Sequence, residues 1–415
     1  MRSGSLVFGV AGCRGSRVSA GTTGHREARA DTGEAGAGTE LFCELARMVT
    51  ALAEVQSLRS FTLPYPGIAQ RALDRTVMHC LDLGEAPPRS LPELWGWCRS
   101  RTAHDPLFQV PSSFVTPDAT LVHPVGQMPT RSCLEVASHG PTGGVVTQAR
   151  TLLGDLEARC GSTERYRRCR QFLARHPVVH QEDRRTPGWS KAVWSRVKEL
   201  YRPLPEFLLV DGVSLRCPSC GLPALPRGHT APITGQLVAG EAIWCEGEEC
   251  PRHDGIELIR DPELALVLRR SLRVFLVLPH RVEEEVLNGL DGAGVDYEAV
   301  AEGLCTYRLR DTGDETLDVQ VYDRLQPSLL AVHLANSVPL ADRTFIVVPQ
   351  RLAERDGYCT NFTAALPPLL RERLVLTTPG GLVQRLGAQP GGADSAGTVP
   401  PRTPEPTPRE GKNDA

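Results

Sequence analysis

Two short cysteine motifs decide how this chain is organised. Residues 217–221 read Cys-Pro-Ser-Cys-Gly and residues 245–250 read Cys-Glu-Gly-Glu-Glu-Cys, with 24 residues between the second and third cysteines. A short loop between two cysteines can place both sulfurs on one metal ion, and Gly221 permits the positive φ that turns such a loop. We therefore predict a zinc ribbon over residues 210–256, with zinc bound by Cys217, Cys220, Cys245 and Cys250.

Other residues are alternative metal ligands to the four cysteines at this site. The second cysteine pair is spaced one or two residues more widely than usual, so His253 is a substitute ligand and His229 a weaker one. Four buried thiols without metal are the remaining interpretation. A closed set of four sulfurs leaves no coordination position for water, which favours a structural ion over a catalytic one.

The other cysteines and the basic residues indicate the class of protein. The chain has 13 cysteines, and most stand singly in apolar surroundings, which is typical of buried thiols in a reducing cytoplasm. Lys191, Lys198 and Lys412 are the only lysines among 46 basic residues. Any mechanism that needs a lysine must therefore use one of these three.

Length and composition exclude several classes. A chain of 415 residues with 41% hydrophobic and 23% charged residues is expected to form two or three globular domains. The net charge of −3 gives no overall polyelectrolyte character. No apolar run approaches the roughly 18 residues that a membrane span needs, so we expect no membrane association and a cytoplasmic location.

The hydrophobic pattern predicts an α+β multidomain protein. Residues 1–38 and 387–415 are rich in small residues or in proline and charge, and we expect both ends to be disordered. Residues 39–205 have helical periodicity, with residues 102–144 mostly loop. One apolar stripe comprises Leu41, Leu45, Met48, Val49, Leu52 and Val55, and a poorer one comprises Ile68, Leu73, Val77 and Leu81. Ser90 with Glu93 predicts a capping box at the start of a further helix.

Residues 265–386 alternate between strand and helix patterns, which predicts an α/β domain. The predicted strands cover residues 272–278, 306–309, 317–322, 344–348 and 374–377. The predicted helices cover residues 282–290, 328–335 and 364–372.

One helix carries a basic face. Residues 157–200 contain eleven basic and five acidic residues. In the helix over 163–175, the predicted buried stripe consists of Tyr166, Cys169, Phe172 and Leu173. The side chains predicted to face outward are then Arg165, Arg168 and Arg175, with Arg167 and Arg170 on either side of them. We predict that Arg165, Arg168 and Arg175 contact nucleic-acid phosphates, with a merely solvated face as the alternative. The acidic run at 283–285 is predicted to be a solvated face.

Several loose motifs together resemble a known family. They are Tyr65-Pro66, Pro87-Pro88, Trp97-Cys98 and Pro129-Thr130, the cysteine ribbon, and the segments 272–279, 307–309, 317–323, 327–334 and 345–349. The chain resembles the restriction-endonuclease-like protein associated with PIWI-RE, which belongs to a prokaryotic three-gene island. This resemblance implies a helical domain of the island type over 39–205 and a restriction-endonuclease-like domain of the PD-(D/E)xK type over 265–386. The implied partners are the PIWI-RE protein, the DNA helicase of the island and DNA.

PD-(D/E)xK chemistry needs two carboxylates that hold Mg²⁺ and a lysine that orients the attacking water. In the family register Gln320 stands at the second carboxylate, Tyr322 at the lysine and Arg308 at the first carboxylate. A neutral amide is a weak magnesium ligand, and a guanidinium places a fixed positive charge where the cation should bind. We therefore favour a nuclease-like domain that has lost catalysis and binds DNA or partner proteins.

Two alternatives remain open. Asp318 with Gln320 forms a DxQ pair, which would make the chain an active Mg²⁺-dependent DNA endonuclease if Asp311 or Asp314 supplied the first carboxylate. The other alternative is a zinc-stapled adaptor that contacts only proteins. The preferred hypothesis is a component of a defence system against phage or plasmid DNA.

Overall fold

The structure consists of N-terminal helices, two small antiparallel sheets and a C-terminal mixed sheet, so the fold is α+β as predicted. It is a computed structural model, and it describes residues 31–54, 63–139, 144–180, 184, 186–209, 212–226, 243–250, 257–300, 304–310, 316–336 and 341–387. No helix in these ranges is both long and apolar enough to cross a membrane.

The N-terminal region is helical. Its helices are α1 (Asp31–Glu54), α2 (Gly67–Leu83), α3 (Leu91–Ser100), α4 (Arg131–Ala137), α5 (Gly144–Cys160), α6 (Thr163–Arg175) and α7 (Lys191–Val197). Helix α1 begins eight residues before the predicted boundary at residue 39. Ser90 caps α3 as predicted, since its Oγ accepts from Glu93 N at 3.4 Å, while Glu93 Oε2 accepts from the N–H of Arg89, the residue before the cap, at 2.9 Å.

The predicted apolar stripe of α1 is confirmed from Leu41 to Leu52, whereas Val55 lies outside the described residues. The stripe predicted for α2 is confirmed at Leu73, which is buried, and is wrong at Leu81. Leu81 is 58% exposed, and the buried face is formed by Ala69, Ala72, Leu73, Thr76 and Cys80. Small side chains allow α2 to lie close against α1, and hydrophobicity alone does not mark such a face.

Helix α4 lies within the stretch 102–144 that was predicted to be mostly loop. Thr130 caps it by accepting from Cys133 N at 3.0 Å. Every residue of this helix is buried, including Arg131 and Glu135. A helix surrounded on all sides has no polar face, so its sequence lacks the amphipathic period that predicts a surface helix.

Two antiparallel sheets follow. The first pairs β1 (Val178–His180) and β2 (Tyr201–Pro203) with the two edges of β7 (Ala265–Leu268). The second is the cysteine-bearing sheet, of order β5-β4-β3-β6, which consists of β3 (Ser214–Arg216), β4 (Pro223–Pro226), β5 (Ile243–Cys245) and β6 (Glu257–Ile259).

The strand predicted over 272–278 is wrong, because this segment is helical. Helix α8 (Arg270–Leu272) continues through a π-helical turn (Arg273–Val277) into α9 (Leu278–Gly292). Residues 272–278 are all buried, mostly in the same core as α5, α6 and α7. A short run that is apolar except for Arg273 fits a buried helix as well as a buried strand, and periodicity does not separate the two.

The C-terminal sheet has the order β12-β11-β10-β9-β8. Its strands are β8 (Tyr297–Ala299), β9 (Thr306–Leu309), β10 (Leu317–Val321), β11 (Arg343–Val347) and β12 (Leu374–Thr377). The pairs among β8, β9 and β10 are antiparallel, and those among β10, β11 and β12 are parallel. The helices that follow β10 are α10 (Pro327–Ala335), α11 (Gln350–Ala353), α12 (Tyr358–Ala365), α13 (Pro368–Arg371) and α14 (Pro379–Gly387).

Helices cover both faces of this sheet. On one face Val319 and Phe345 pack with α9 and α14, and on the other Ile346 packs with α10 and α12. The four predicted strands within 306–377 and the helices at 282–290 and 328–335 are therefore present, while the helix predicted over 364–372 is divided between α12 and α13. Alternation along β10 turns Asp318 and Gln320 toward the α10 face.

Candidate functional site

The structure brings the four predicted cysteines together. The sulfurs of Cys217, Cys220, Cys245 and Cys250 all lie within 4.8 Å of one another. Four sulfurs at about 2.3 Å from a tetrahedral zinc are separated by roughly 3.8 Å, and the Cys220 and Cys245 sulfurs are 3.9 Å apart. The cluster could therefore hold a metal ion such as zinc. His229 and His253, the predicted substitutes, lie outside the described residues.

The backbone conformation of each loop explains how the two sulfurs of a cysteine pair come together. Gly221 has a φ of +70°, and its N–H donates to the Cys217 carbonyl at 2.8 Å. In the second pair, a Cβ on Gly247 would lie 2.8 Å from the Cys250 sulfur and 3.3 Å from the Cys220 sulfur. A side chain at 247 would therefore intrude on the ligands, which explains the glycine in the wide second pair.

The protonation of the thiols also fits a cation site. The pKa of Cys217 is lowered because Cys220, Cys245 and Cys250 donate hydrogen bonds to its sulfur. The pKa values of Cys220 and Cys245 are raised, chiefly by sharing protons with Cys217. The four sulfurs are therefore close enough to perturb one another, as the ligands of a single ion would be.

The second cysteine loop is anchored by buried ion pairs. Glu246 accepts two hydrogen bonds from Arg273, at 2.5 and 2.7 Å. Glu248 accepts from the Arg131 backbone N–H at 2.9 Å, and the Gly247 carbonyl accepts from Arg131 Nη1 at 3.1 Å. These contacts join the cysteine loop to α4 and to the segment after β7.

Arg131 connects this loop to the C-terminal sheet. Its Nη2 donates to the carbonyl and to Oδ1 of Asp323, at 2.6 and 2.8 Å. Asp323 follows β10 and also pairs with Arg351 at 2.6 Å. Glu135, one turn after Arg131, accepts from the backbone N–H groups of Leu325 and Gln326. One buried polar network therefore fixes α4, the cysteine loop and the end of β10.

The residues of the nuclease hypothesis are also adjacent. Asp318 on β10 lies directly opposite Arg308 on β9. Arg308 Nε donates to Asp318 Oδ1 at 2.9 Å, and Nη2 donates to Oδ2 at 3.3 Å. Both oxygens of the Asp318 carboxylate are thus held by a guanidinium. Asp311 and Asp314, the predicted sources of a first carboxylate, lie outside the described residues.

Gln320 and Tyr322 continue this row of side chains. Tyr322 Oη donates to Gln320 Oε1 at 2.9 Å. The Tyr322 ring lies edge-on to His333 of α10, with 6.3 Å between ring centres. Arg150 of α5 donates to His333 Nε2 at 3.2 Å. Successive contacts therefore link Gln320 and Tyr322 to His333 and to an arginine from the N-terminal region.

The predicted basic face on α6 is exposed, but part of its charge is paired. Arg168 pairs with Glu164 at 3.0 Å, and Arg175 pairs with Glu284 of α9 at 2.6 Å. No described carboxylate pairs with Arg165. Nucleic-acid contact by this face stays a prediction.

Two charged side chains, one on α6 and one on α9, are less exposed than the sequence predicted. Arg170 is not a flanking surface residue, because its side chain is 17% exposed and pairs with Glu283 at 2.7 Å. Glu283 is 1% exposed and also accepts from Tyr307 and His280, so the run 283–285 is not a uniformly solvated face. Arg170, His280 and Tyr307 hold the pKa of Glu283 at about 2 against the opposing effect of burial.

The match to known families falls on the N-terminal region. Residues 41–180 match the family described as pPIWI_RE three-gene island domain Y. This match associates the chain with the pPIWI-RE island. No curated protein and no solved structure matches the chain.

The residues whose contacts the sequence interpretation missed lie in the range that matches domain Y. The matched range runs from α1 to β1 and includes Arg131, Glu135, Arg150 and Arg170. Each of these side chains contacts the C-terminal region, either at the residues that follow β10 or on helix α9 or α10. The only sequence signal for them is a charged residue within an otherwise apolar or helical stretch, and that signal does not identify a partner.

Proposed function

We propose that this protein is a cytoplasmic component of a PIWI-RE-type defence system against phage or plasmid DNA, acting with the PIWI-RE protein and the DNA helicase of the island. The match of residues 41–180 to domain Y supports this assignment. The resemblance of the ribbon and the C-terminal segments to the same island's endonuclease-like protein extends it over the remaining chain.

We propose further that residues 265–386 are a restriction-endonuclease-like domain that has lost catalysis and binds DNA. The observation that carries this proposal is the pairing of Arg308 with both carboxylate oxygens of Asp318. Magnesium sites are built from oxygen ligands that include carboxylates, and here Asp318, the carboxylate of the DxQ alternative, is neutralised by a fixed cation on the neighbouring strand. Gln320 and Tyr322 offer neither a second negative charge nor a lysine.

The cysteine cluster is proposed to bind a structural zinc. The four sulfurs lie within 4.8 Å of one another, and a zinc bound by all four would have no open position for water or substrate. We expect about one zinc per chain by elemental analysis of protein purified without chelator. Protein that is free of metal and melts at the same temperature after zinc is added would contradict this assignment.

A matched nuclease assay tests the proposed loss of catalysis. Wild type, Asp318→Ala and Gln320→Ala, purified identically, are incubated with single- and double-stranded DNA and Mg²⁺ or Mn²⁺. We expect no cutting by any of the three, together with salt-sensitive DNA binding by the wild type. Metal-dependent cutting that both substitutions abolish would establish the active DxQ enzyme instead. Cutting that all three preparations share would identify a contaminant, and absence of binding at low salt would favour the protein-only adaptor.

A further inference from the structure

The second cysteine loop is tied at both ends to parts of the molecule beyond its own sheet. Glu246, which follows Cys245, is buried and accepts from Arg273 of the π-helical turn at 2.5 and 2.7 Å. Glu249, three residues further on, forms an ion pair with Arg355, which lies between α11 and α12. The loop therefore holds two separate helical segments of the chain after β7.

The middle of the same loop is tied to domain Y. The Gly247 carbonyl accepts from Arg131 Nη1 at 3.1 Å, and Glu248 Oε1 accepts from the Arg131 backbone N–H at 2.9 Å. Arg131 belongs to α4, within the range that matches domain Y. All four residues between the cysteines therefore make a contact with another element. A loop of two residues, like the one between Cys217 and Cys220, could not supply four such contacts.

The conformation of the loop depends on the sulfurs at its ends. Glu248 has a φ of +56°, in the left-handed region that residues other than glycine seldom adopt. A Cβ on Gly247 would lie 2.8 Å from the Cys250 sulfur and 3.3 Å from the Cys220 sulfur, so the backbone here lies against the cluster. A strained backbone persists only where its surroundings hold it. If the sulfurs were released from a common ion, the loop would be expected to relax and to withdraw from Arg131.

We propose that metal occupancy of the cysteine cluster controls the attachment of domain Y to the C-terminal region. With metal bound, the loop keeps the conformation that fixes Arg131, whose other guanidinium nitrogen holds Asp323 after β10. Loss of the metal frees the loop and thereby loosens α4, the end of β10 and the segment around Arg355. The inference rests on the proposed metal site and gives that site a regulatory role.

Charge acts in the same direction as loop conformation. A Zn²⁺ ion bound by four thiolates carries a net charge of −2, whereas four protonated thiols are neutral. Gly247 lies against the sulfurs on one side and contacts the Arg131 guanidinium through its carbonyl. Loss of the metal would therefore also remove negative charge near this arginine.

Hydrogen exchange of the wild-type protein tests the proposal, with zinc per chain measured on the same samples by elemental analysis. The protein is compared as purified, after zinc removal by a chelator, and after zinc is added back. On removal we expect exchange to quicken about tenfold or more at residues 131–137, 321–326 and 354–358, and to slow again when zinc returns. Helix α2, which packs on α1 and α3, is the internal control and should exchange at an unchanged rate.

Each way of failing gives a different result. Faster exchange confined to residues 214–226 and 243–250 would show that the metal orders only its own sheet, and would overturn the proposal. Faster exchange in α2 as well would indicate general unfolding and would also overturn it. Protein that binds no zinc would refute the metal site itself, and this inference would fall with it.

A variant outside the ligand set tests the loop without disturbing the sulfurs. Glu249→Gln is expected to keep its zinc and to quicken exchange about threefold at residues 354–358, with no change at 131–137. Glu206→Gln, at an exposed glutamate outside the loop, is the matched control and should behave like the wild type. Wild-type exchange at 354–358 in Glu249→Gln would contradict the role of the loop as a connection.

Discussion

Gly247 shows how one residue allows an unusually wide cysteine pair to join the four-cysteine cluster. The loop from Cys245 to Cys250 carries two more residues than the loop from Cys217 to Cys220. The extra length brings the backbone of residue 247 against three sulfurs, and a Cβ there would lie 2.8 Å from the Cys250 sulfur. Real Cβ atoms do not approach so closely, so a larger residue would push the ligands apart.

Gly247→Ala is therefore expected to weaken metal retention. Zinc bound per chain, measured by elemental analysis after dialysis against a competing chelator, should fall well below the wild-type value. Gly154→Ala is the matched control, because a Cβ at this position of α5 meets no atom within 4 Å. The control should retain zinc and gain up to about 1 kcal/mol of helix stability. Equal zinc retention by the two variants would show that the loop tolerates a side chain at 247.

Cys217→Ser is expected to have a larger effect on the same site. Structural zinc in small finger peptides is worth on the order of 10–16 kcal/mol in apparent binding free energy, so losing one ligand should destabilise the cysteine-bearing sheet severely. Thermal unfolding monitored by circular dichroism would report this loss. Cys359→Ser, at an exposed cysteine outside the cluster, should unfold like the wild type.

At the scale of elements, α6 and α9 are joined by ion pairs of different burial. Glu283 is 1% exposed and binds Arg170, whereas Glu284 is 40% exposed and binds Arg175. Removing one partner should cost more in the buried pair than in the exposed one, because the remaining partner would be an unpaired buried charge.

Glu283 should make stability depend on pH in the acidic range. Its pKa is about 2 in the folded protein and 4.5 ordinarily, so the folded state favours the ionised carboxylate. The resulting stabilisation, about 3 kcal/mol, is complete above the ordinary pKa and is lost as pH falls from about 5 toward 2. Urea unfolding of Glu283→Gln should show a deficit at pH 7 that shrinks toward pH 3. Glu284→Gln should change stability by less than about 1 kcal/mol at either pH.

The basic face of α6 gives a prediction about DNA binding. Arg165 has no described carboxylate partner, whereas Glu164 already binds Arg168. Arg165→Gln should therefore weaken DNA binding more than Arg168→Gln, by a similar factor on unrelated sequences. Anisotropy titrations with two unrelated duplexes at low salt would measure both effects. If both variants bound DNA as tightly as the wild type, the basic face of α6 would be exposed to solvent without contacting DNA.

At the scale of the whole molecule, Arg131 links the three regions. It is 1% exposed and binds the cysteine loop on one side and Asp323 on the other. Arg351 binds the same aspartate from the surface, with 39% of its side chain exposed. The position of the cysteine loop is thereby coupled to the end of β10.

Arg131→Met is expected to lower the free energy of unfolding by about 3–5 kcal/mol, because Asp323 loses its buried partner. Hydrogen exchange should quicken both at residues 245–250 and at 321–326, although these segments are distant in sequence. Arg351→Met should cost about 1 kcal/mol or less. Faster exchange confined to only one of the two segments would contradict the coupling.

The sequence by itself determined the features that depend on neighbours along the chain. The four cysteine positions, the apolar stripe of α1, the Ser90 cap and strands β9 and β10 all follow from short-range spacing, and the structure has each of them. Spacing is sufficient there because a helix turn, a strand or a short cysteine loop fixes which side chains meet.

The tertiary structure alone decided the features that depend on contacts between residues far apart in the sequence. Glu283 is buried because Arg170, 113 residues earlier, reaches it, and an acidic run gives no sign of that contact. The segment 272–278 is buried in a core that it shares with α5, α6 and α7, and its helical conformation depends on that packing. Arg308 neutralises Asp318 only after β9 and β10 pair. Packing sets the environment of a charge or an apolar run, and that environment decides both its conformation and its chemistry.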